Sequence, residues 1–568
     1  MTLTLGSFGS FAAAAPSTAM KVWLYVDKNE AFVNGSSTIL TSPASVYNGK
    51  MYVPVKFLGD TFGFPVVYDP VTNTIAMTAG KTEVWIDLTL RTTLVDGLPG
   101  TFAPTFAISP DGKLMAQLTW MMDRIGAKYE YDAVLNRVEV VYAPFSAELP
   151  SGDGSKPIAK FTFGKPSYKM GEKVQYIDLS YDVEGDGIQY VSWKNREEAF
   201  FKPGDHQVSL QVTDSKGNVS DWFTKTITIE NDTMYSPAEF QMHHAKTQSF
   251  VKMNSTELNQ YIRSAAPLSM AVIRDDSRKL LVSDSPENIT EYGVLYRDAV
   301  EGKARLYANH INMMDADVQF AIIATNHGRN PVAIKTERQG EVYPSVFVNL
   351  IGYQASVDFL VGDVNKPELT VQPGESKAYV YLPKLKKGQG INLVYDVETN
   401  NDVTFTFAAM LPNDPMEAAL TYPELAYNGH VRGTFPVSEV RMETDASRVN
   451  GAAKFTIGDD AEDVFVEGYD VFRRQIVENK GNYGVMYHVR INNPGKAALV
   501  MLARGGVFKG ALKINGEMIL APASGVITAL DGVFMLHRTT GTERYIDIEL
   551  TPPAGSNLPI DIVLYPLD

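Results

Sequence analysis

Two stretches of this chain repeat one another without a gap: residues 49–77, GKMYVPVKFLGDTFGFPVVYDPVTNTIAM, and residues 112–140, GKLMAQLTWMMDRIGAKYEYDAVLNRVEV. At this offset of 63, Gly49/Gly112, Lys50/Lys113, Asp60/Asp123, Gly63/Gly126, Tyr68/Tyr131, Asp69/Asp132, Val71/Val134 and Asn73/Asn136 are identical. Each copy reads as a Gly-Lys turn and a short helix with apolar residues at i, i+1 and i+5 (Phe57, Leu58 and Phe62 in the first). Gly63 or Gly126 then stands where a helix would end. An alternating strand follows, then a turn at 69–73 or 132–136, then a closing strand. A unit this small buries too little apolar surface alone, so the two copies are expected to pack together.

The whole chain of 568 residues is long enough for three to five domains at about 100–200 residues each. Its 45% hydrophobic content excludes wholesale disorder. A net charge of -15 repels phosphate backbones, which argues against a sequence-independent nucleic-acid partner. The absence of Cys removes disulfides, Cys-ligated zinc, Fe–S clusters and thiol nucleophiles. No run of 18 apolar residues occurs, so no membrane span is expected.

The pattern Gly49-Lys50-x-x-Val53-Pro54-Val55-Lys56, followed by Gly63 and by Val67-Tyr68-Asp69, resembles the copper amine oxidase N-terminal, or stalk, domain of secreted Gram-positive proteins. The second copy has Ala116-Gln117-Leu118-Thr119 in place of the Val-Pro signature and is degenerate. The resemblance covers residues 21–145 and implies a duplicated α+β spacer without copper or oxidase chemistry. The remainder offers no oxidase centre either. Asn482-Tyr483-Gly484 is the nearest approach to a topaquinone precursor motif, with the wrong third residue. The eight His contain no His-x-His pair that would set two ligands on one strand face. Neither copper nor topaquinone is expected, and calcium is the one ion with sequence candidates.

Residues 1–20, uncharged, apolar and ending in small residues, read as a signal-peptide-like segment, which implies a secreted or cell-envelope location. After a Gly-rich linker at 151–155, residues 150–232 carry turn signals and the alternating run Val208, Leu210, Val212, as expected of an immunoglobulin-like sandwich. This region resembles a PKD-type spacer domain, with Trp193-Lys194-Asn195-Arg196 replacing the family hallmark. Asp182, Glu184 and Asp186 alternate around a Gly turn and form a calcium candidate, against the plainer reading of a solvated acidic turn.

From residue 233 onward strand follows strand, with helical patterns confined to 255–264 and 415–420. A change of texture near 429–436 divides this stretch into sandwiches at 233–435 and 436–568. The expected fold is therefore mainly β: a duplicated α+β stalk, a PKD-like sandwich and two further β-sandwiches. In the first of these, period 2 puts Arg305, Tyr307 and Asn309 on one strand face and His310 and Asn312 on the other. Such a row could line a sugar-binding groove or be the wet face of an ordinary sheet. Arg504, before Gly505-Gly506, marks either a functional turn with exposed N–H groups or a hairpin. Asp459, Asp460, Glu462 and Asp463 are a further acidic group that could hold calcium or be simply a charged loop.

No Gly-x-Ser-x-Gly, His-Glu-x-x-His, Walker-type or dinucleotide-type motif occurs in a suitable context. A paired-carboxylate glycosidase leaves no spacing in sequence, so enzyme activity stays open and no residue is assigned as catalytic. The expected function is a secreted, modular, non-catalytic envelope protein whose spacers present C-terminal sandwiches to a cell-wall or extracellular polysaccharide, or to another surface protein. A polysaccharide hydrolase or lyase is one alternative. A self-assembling surface-layer or filament subunit, joined by its edge strands, is the other.

Overall fold

A computed structural model of the chain describes residues 19–143, 156–183, 187–342, 344–530 and 532–567. Most of the signal-like segment and the linker at 151–155 lie outside the described residues. The chain is mainly β and divides into two compact units, 1–234 and 235–568.

In the first unit the duplication is also a symmetry. Strands Lys50–Pro54 and Leu114–Gln117 pair antiparallel, and Val53 sits opposite Ala116, its own counterpart 63 residues on. Each strand runs into an eight-residue helix, Val55–Phe62 or Leu118–Ile125, and each helix ends on a left-handed glycine, Gly63 or Gly126. The buried helix positions are Val55, Leu58, Gly59 and Phe62, then Leu118, Met121 and Met122. That spacing is i, i+3, i+4 and i+7, not the i, i+1, i+5 expected from sequence, because the 3.6-residue turn puts Phe57 at the margin of the packed stripe. The turns repeat as well: Tyr68 donates to Asn73 (3.1 Å) and Tyr131 to Asn136 (2.8 Å), while Asp69 and Asp132 accept from the N–H two residues on. Both asparagines have positive φ, which Asn tolerates better than most side chains. An eight-stranded and a five-stranded sheet result, around a core that includes Val22, Leu24, Leu58, Phe62, Ile86 and Met121.

Residues 156–234 form a small sandwich. Phe161–Phe163 and Tyr176–Asp178 pair on one side, and a four-stranded sheet built on Gly204–Asp214 and Phe223–Thr233 lies opposite. Val208, Leu210 and Val212 alternate inward onto Phe161 and Phe163.

The second unit holds an eleven-stranded sheet and two six-stranded sheets. The long strands Gly293–Asn312 and Gly390–Met410 pair along most of their length. Gly390–Met410 also pairs with Val332–Glu341 along its first half and with Gln319–Thr325 along its second. The sheet therefore divides and encloses Tyr296, Leu306, Phe320, Tyr395, Phe405 and Phe407. Beside it the two six-stranded sheets face each other across Phe455, Leu499, Met501 and Ile562 on one side and Val440, Met442, Val489 and Ile548 on the other.

Strands on either side of residue 436 share sheets. Ala271–Asp275 pairs with Glu439–Asp445, and Ser249–Val251 pairs with Val533–Arg538. In return, Arg432–Phe435 and the hairpin Glu467–Asp470/Gln475–Glu478 extend the larger sheet from Lys279–Ser283. Two helices unread in the sequence occur here: Pro237–His244, opened by a Ser236/Glu239 capping box, and Val348–Val361. In the second, apolar residues are spread around the helix with Gln354, Ser356 and Asp358 among them, so it carries no helical periodicity to read.

Candidate functional site

The polar run 305–312 is not a wet sheet face. Arg305, Tyr307, Asn309, His310 and Asn312 are all buried, because the six-stranded sheets cover one side of this strand and the divided sheet's own core covers the other. Arg305 has no exposed surface. Its guanidinium makes a two-pronged pair with Asp396 (Nε to Oδ1 2.6 Å, Nη2 to Oδ2 2.9 Å) and donates to the carbonyls of Ser438 (2.7 Å) and Gly484 (3.0 Å) and to Glu439. Five donors meet five acceptors, which is how a buried charge becomes tolerable. The Tyr307 ring stacks on Tyr483 at 6.4 Å between centroids, and the Tyr483 hydroxyl donates to the carbonyl of Ser556. An open sugar groove along this strand is thereby excluded.

The other sequence candidates are also placed. Asp182 accepts from the N–H of Gly187 at 2.9 Å, while Glu184 and Asp186 lie outside the described residues. Arg504 is half exposed, 3.3 Å from Asp459 and 3.6 Å from Asp561. Its Gly505-Gly506 turn is not a hairpin: Ala497–Leu502 and Gly510–Ile514 belong to different six-stranded sheets, and the glycines make a crossing. A Cβ on Gly505 would stand 2.1 Å from the carbonyl oxygen of Leu558, so the close passage requires glycine. In the acidic loop, Asp459 accepts N–H bonds from Ala461, Glu462 and Asp463, and Asp463 accepts from Tyr487 and Gly458. These carboxylates shape the loop.

A different group converges at the end of Lys279–Ser283. This strand lies between Gly293–Asn312, parallel to it, and Arg432–Phe435, antiparallel to it. Where it leaves the sheet, residues 284–287 turn, held by Asp284 N–H to Val431 O (3.0 Å) and by Ile311 N–H to Glu287 O (2.7 Å). His310 braces the same turn, its Nδ1 2.9 Å from Pro286 O and its Nε2 3.0 Å from Ser283 Oγ. Burial pushes the imidazole down to about 4, so it is neutral there at neutral pH.

The turn thereby sets Asp284 and Glu287 beside Asn309 from one neighbouring strand and His430 from the approach to the other. Asn309 Nδ2 donates to Asp284 Oδ1 at 2.9 Å and to Glu287 Oε1 at 3.4 Å. His430 Nε2 lies 3.2 Å from Glu287 Oε2, and its Nδ1 lies 3.9 Å from Asp284 Oδ2. Among the described residues, this is the group in which three metal-ligating side chains bring their ligand atoms within 4.8 Å of one another. Burial, reinforced by the charge of Glu287, pushes the Asp284 carboxyl well above the usual range, against the pull of the Asn309 hydrogen bond.

His430 also lines an open groove of about 270 Å³ with Tyr427, Arg432, Arg473, Glu478 and Lys480. The groove is shaped by the hairpin that Arg432 ties down through Asp470 (3.1 Å) and the carbonyl of Leu425 (2.9 Å). The Arg473 guanidinium lies 3.8 Å from the centre of the Tyr427 ring, which is itself partly exposed. A larger hollow of about 660 Å³, lined by Phe250, Met253, Val526 and Leu530, is more apolar and has Lys252 and Glu257 as its charged members. Sequence reasoning reached Asn309 but not Asp284, Glu287 or His430. The first two flank a Ser-Pro turn, and nothing in the chain ties them to a histidine more than 140 residues away.

No curated protein matches the sequence. Among solved structures, similarity is found to a carbohydrate-binding module of the β-sandwich superfamily (16% identity, covering 45% of this chain and 98% of that one, TM-score 0.13). It is found also to the PBSX exported protein XepA (10% identity, 48% and 86% coverage, TM-score 0.12). A third is SGBP-B of the Bacteroides ovatus mixed-linkage glucan utilization locus, solved with a mixed-linkage heptasaccharide (10% identity, 68% and 89% coverage, TM-score 0.08). Scores this low tie no ligand to the present chain. No helix among the described residues is long and apolar enough to cross a membrane. The family model of the copper amine oxidase N-terminal domain matches residues 17–77 and again 32–140, so the N-terminal region of this chain carries that domain.

Proposed function

We propose that this is a secreted, modular envelope protein without catalytic activity, whose N-terminal modules act as spacers and whose C-terminal unit binds a glycan at the groove beside His430. The observation that carries this reading is the groove's chemistry. The partly exposed Tyr427 ring, with the Arg473 guanidinium over it, offers apolar contact and donors to a sugar, and Glu478, Lys480 and His430 offer donors and acceptors for hydroxyls around it. The stalk-type domain at the N-terminus supports an extracellular setting. The test is retention of the full chain on cell-wall material and insoluble polysaccharides. Retention that falls at least fivefold in Tyr427→Ala and Arg473→Ala supports the reading. Failure to bind any of these materials, or retention unchanged in both variants, overturns it.

A further inference from the structure

We propose that Asp284, Glu287, His430 and Asn309 bind a first-row divalent transition-metal ion, Zn²⁺ or Mn²⁺, whether or not the neighbouring groove takes a glycan. Two carboxylates offset the charge of such an ion, and the imidazole selects against Ca²⁺ and Mg²⁺, which favour all-oxygen shells. Ligand atoms about 2.0–2.2 Å from one tetrahedral zinc ion stand about 3.4 Å apart. His430 Nε2 stands 3.2 Å from Glu287 and meets that spacing, while the 3.9 Å approach to Asp284 is made by the other ring nitrogen, Nδ1. With one ligand atom from each residue, the three-residue set lies within 4.8 Å, so closing on an ion needs side-chain shifts of about an ångström.

Asn309 supplies the independent indication of a ligand. It is 5% exposed, its amide lies against both carboxylates, and its Oδ1 is buried without a hydrogen-bond partner. Buried polar atoms are nearly always satisfied, so an amide whose Nδ2 faces the two carboxylates while its Oδ1 has no partner marks a place where a further donor or a cation belongs. A half turn about the terminal torsion of Asn309 exchanges its oxygen and nitrogen. The oxygen would then face two carboxylates, an arrangement that is repulsive unless a cation stands between them. The surrounding groups have the form of an outer shell: His310 fixes the turn through Pro286 O, and the Asp284 N–H is held by Val431 O. His430, the one member with substantial exposure, gives the ion a path from solvent. The bound ion would pin together three chain segments that share no local sequence.

The experiment uses the full chain, stripped with chelator and titrated calorimetrically with ZnCl₂, MnCl₂ and CaCl₂, alongside His430→Gln and Asp284→Asn. His430 is half exposed, so its variant keeps the fold even if the buried Asp284→Asn does not; circular dichroism checks both. One equivalent of Zn²⁺ or Mn²⁺ per chain is expected. Affinity should fall at least tenfold in His430→Gln, and the ion should raise Tm in the parent only. Absence of binding at millimolar ion, affinity unchanged in His430→Gln, or tighter binding of Ca²⁺ than of either transition metal would overturn the proposal.

Discussion

Arg305 and Glu439 show how this protein places charge inside its fold. The Glu439 carboxylate is held 3.2 Å from Arg305 and 3.5 Å from His488, with a quarter of its side chain exposed. The hydrogen bond to His488, with the Arg305 charge behind it, lowers Glu439 to about 2 against an ordinary 4.5. A carboxylate depressed on folding adds stability that is complete above the unfolded value and is lost as pH falls through the folded one. The parent is therefore expected to lose up to about 3 kcal/mol relative to Glu439→Gln as pH drops from 4.5 toward 2, since each tenfold change in proton affinity is worth about 1.4 kcal/mol. Denaturant unfolding of both chains across that range checks this, and parallel profiles would refute it. The alternation of residues 305–312 was legible in the sequence. That both faces are covered was not, because a row of Arg, Tyr and Asn looks the same beside water and beside buried hydrogen-bond partners.

Among the elements, the helix Val348–Val361 depends on glycines at two contacts. A Cβ on Gly352 would stand 2.0 Å from the carbonyl oxygen of Ala554, and one on Gly340 would stand 2.2 Å from that of Ala355. Helix propensity alone favours Gly352→Ala by about 1 kcal/mol, whereas forcing a methyl into a filled contact costs about 1–3 kcal/mol and sometimes more. The steric effect involves backbone on the far side, which cannot rotate away, so it prevails. Gly352→Ala is expected to lower stability by up to about 2 kcal/mol, the difference between those effects. A rise in Tm would show that the helix shifts freely. The short stalk helices were readable because Gly63 and Gly126 end them and the duplication repeats the signal. The longer helix has an apolar residue on every side and a glycine at its centre, and only its closing Gly362 announces it.

At the scale of the whole molecule, the pairing of strands decides what folds alone. Lys279–Ser283 is flanked by Gly293–Asn312 and by Arg432–Phe435, and Glu439–Asp445 receives Ala271–Asp275 at its edge. A cut at 435/436 strips strands from both sides, whereas a cut at 234/235 falls between the compact units. The fragment 235–568 is expected to melt in a cooperative transition, and 235–435 and 436–568 expressed separately are not. Circular dichroism melts of the three fragments decide this, and a cooperative transition in either short fragment would count against the interleaving as an energetic unit.

Local grammar belongs to the chain itself. The 63-residue repeat, the glycines that end its helices, the Asp-to-Asn turns and the two-residue alternation of the strands act between residues close in sequence, so they can be read without knowing the fold. The same holds for the mainly β character and for the stalk-type N-terminal region. Partnership belongs to the folded state. That Arg305 meets Asp396, that strands cross residue 436 in both directions, and that Asp284, Glu287, Asn309 and His430 share one corner all depend on loop closures of tens to hundreds of residues. Such closures cost entropy that rises only slowly with loop length, so many pairings compete. The choice among them falls to the packing of the complete core.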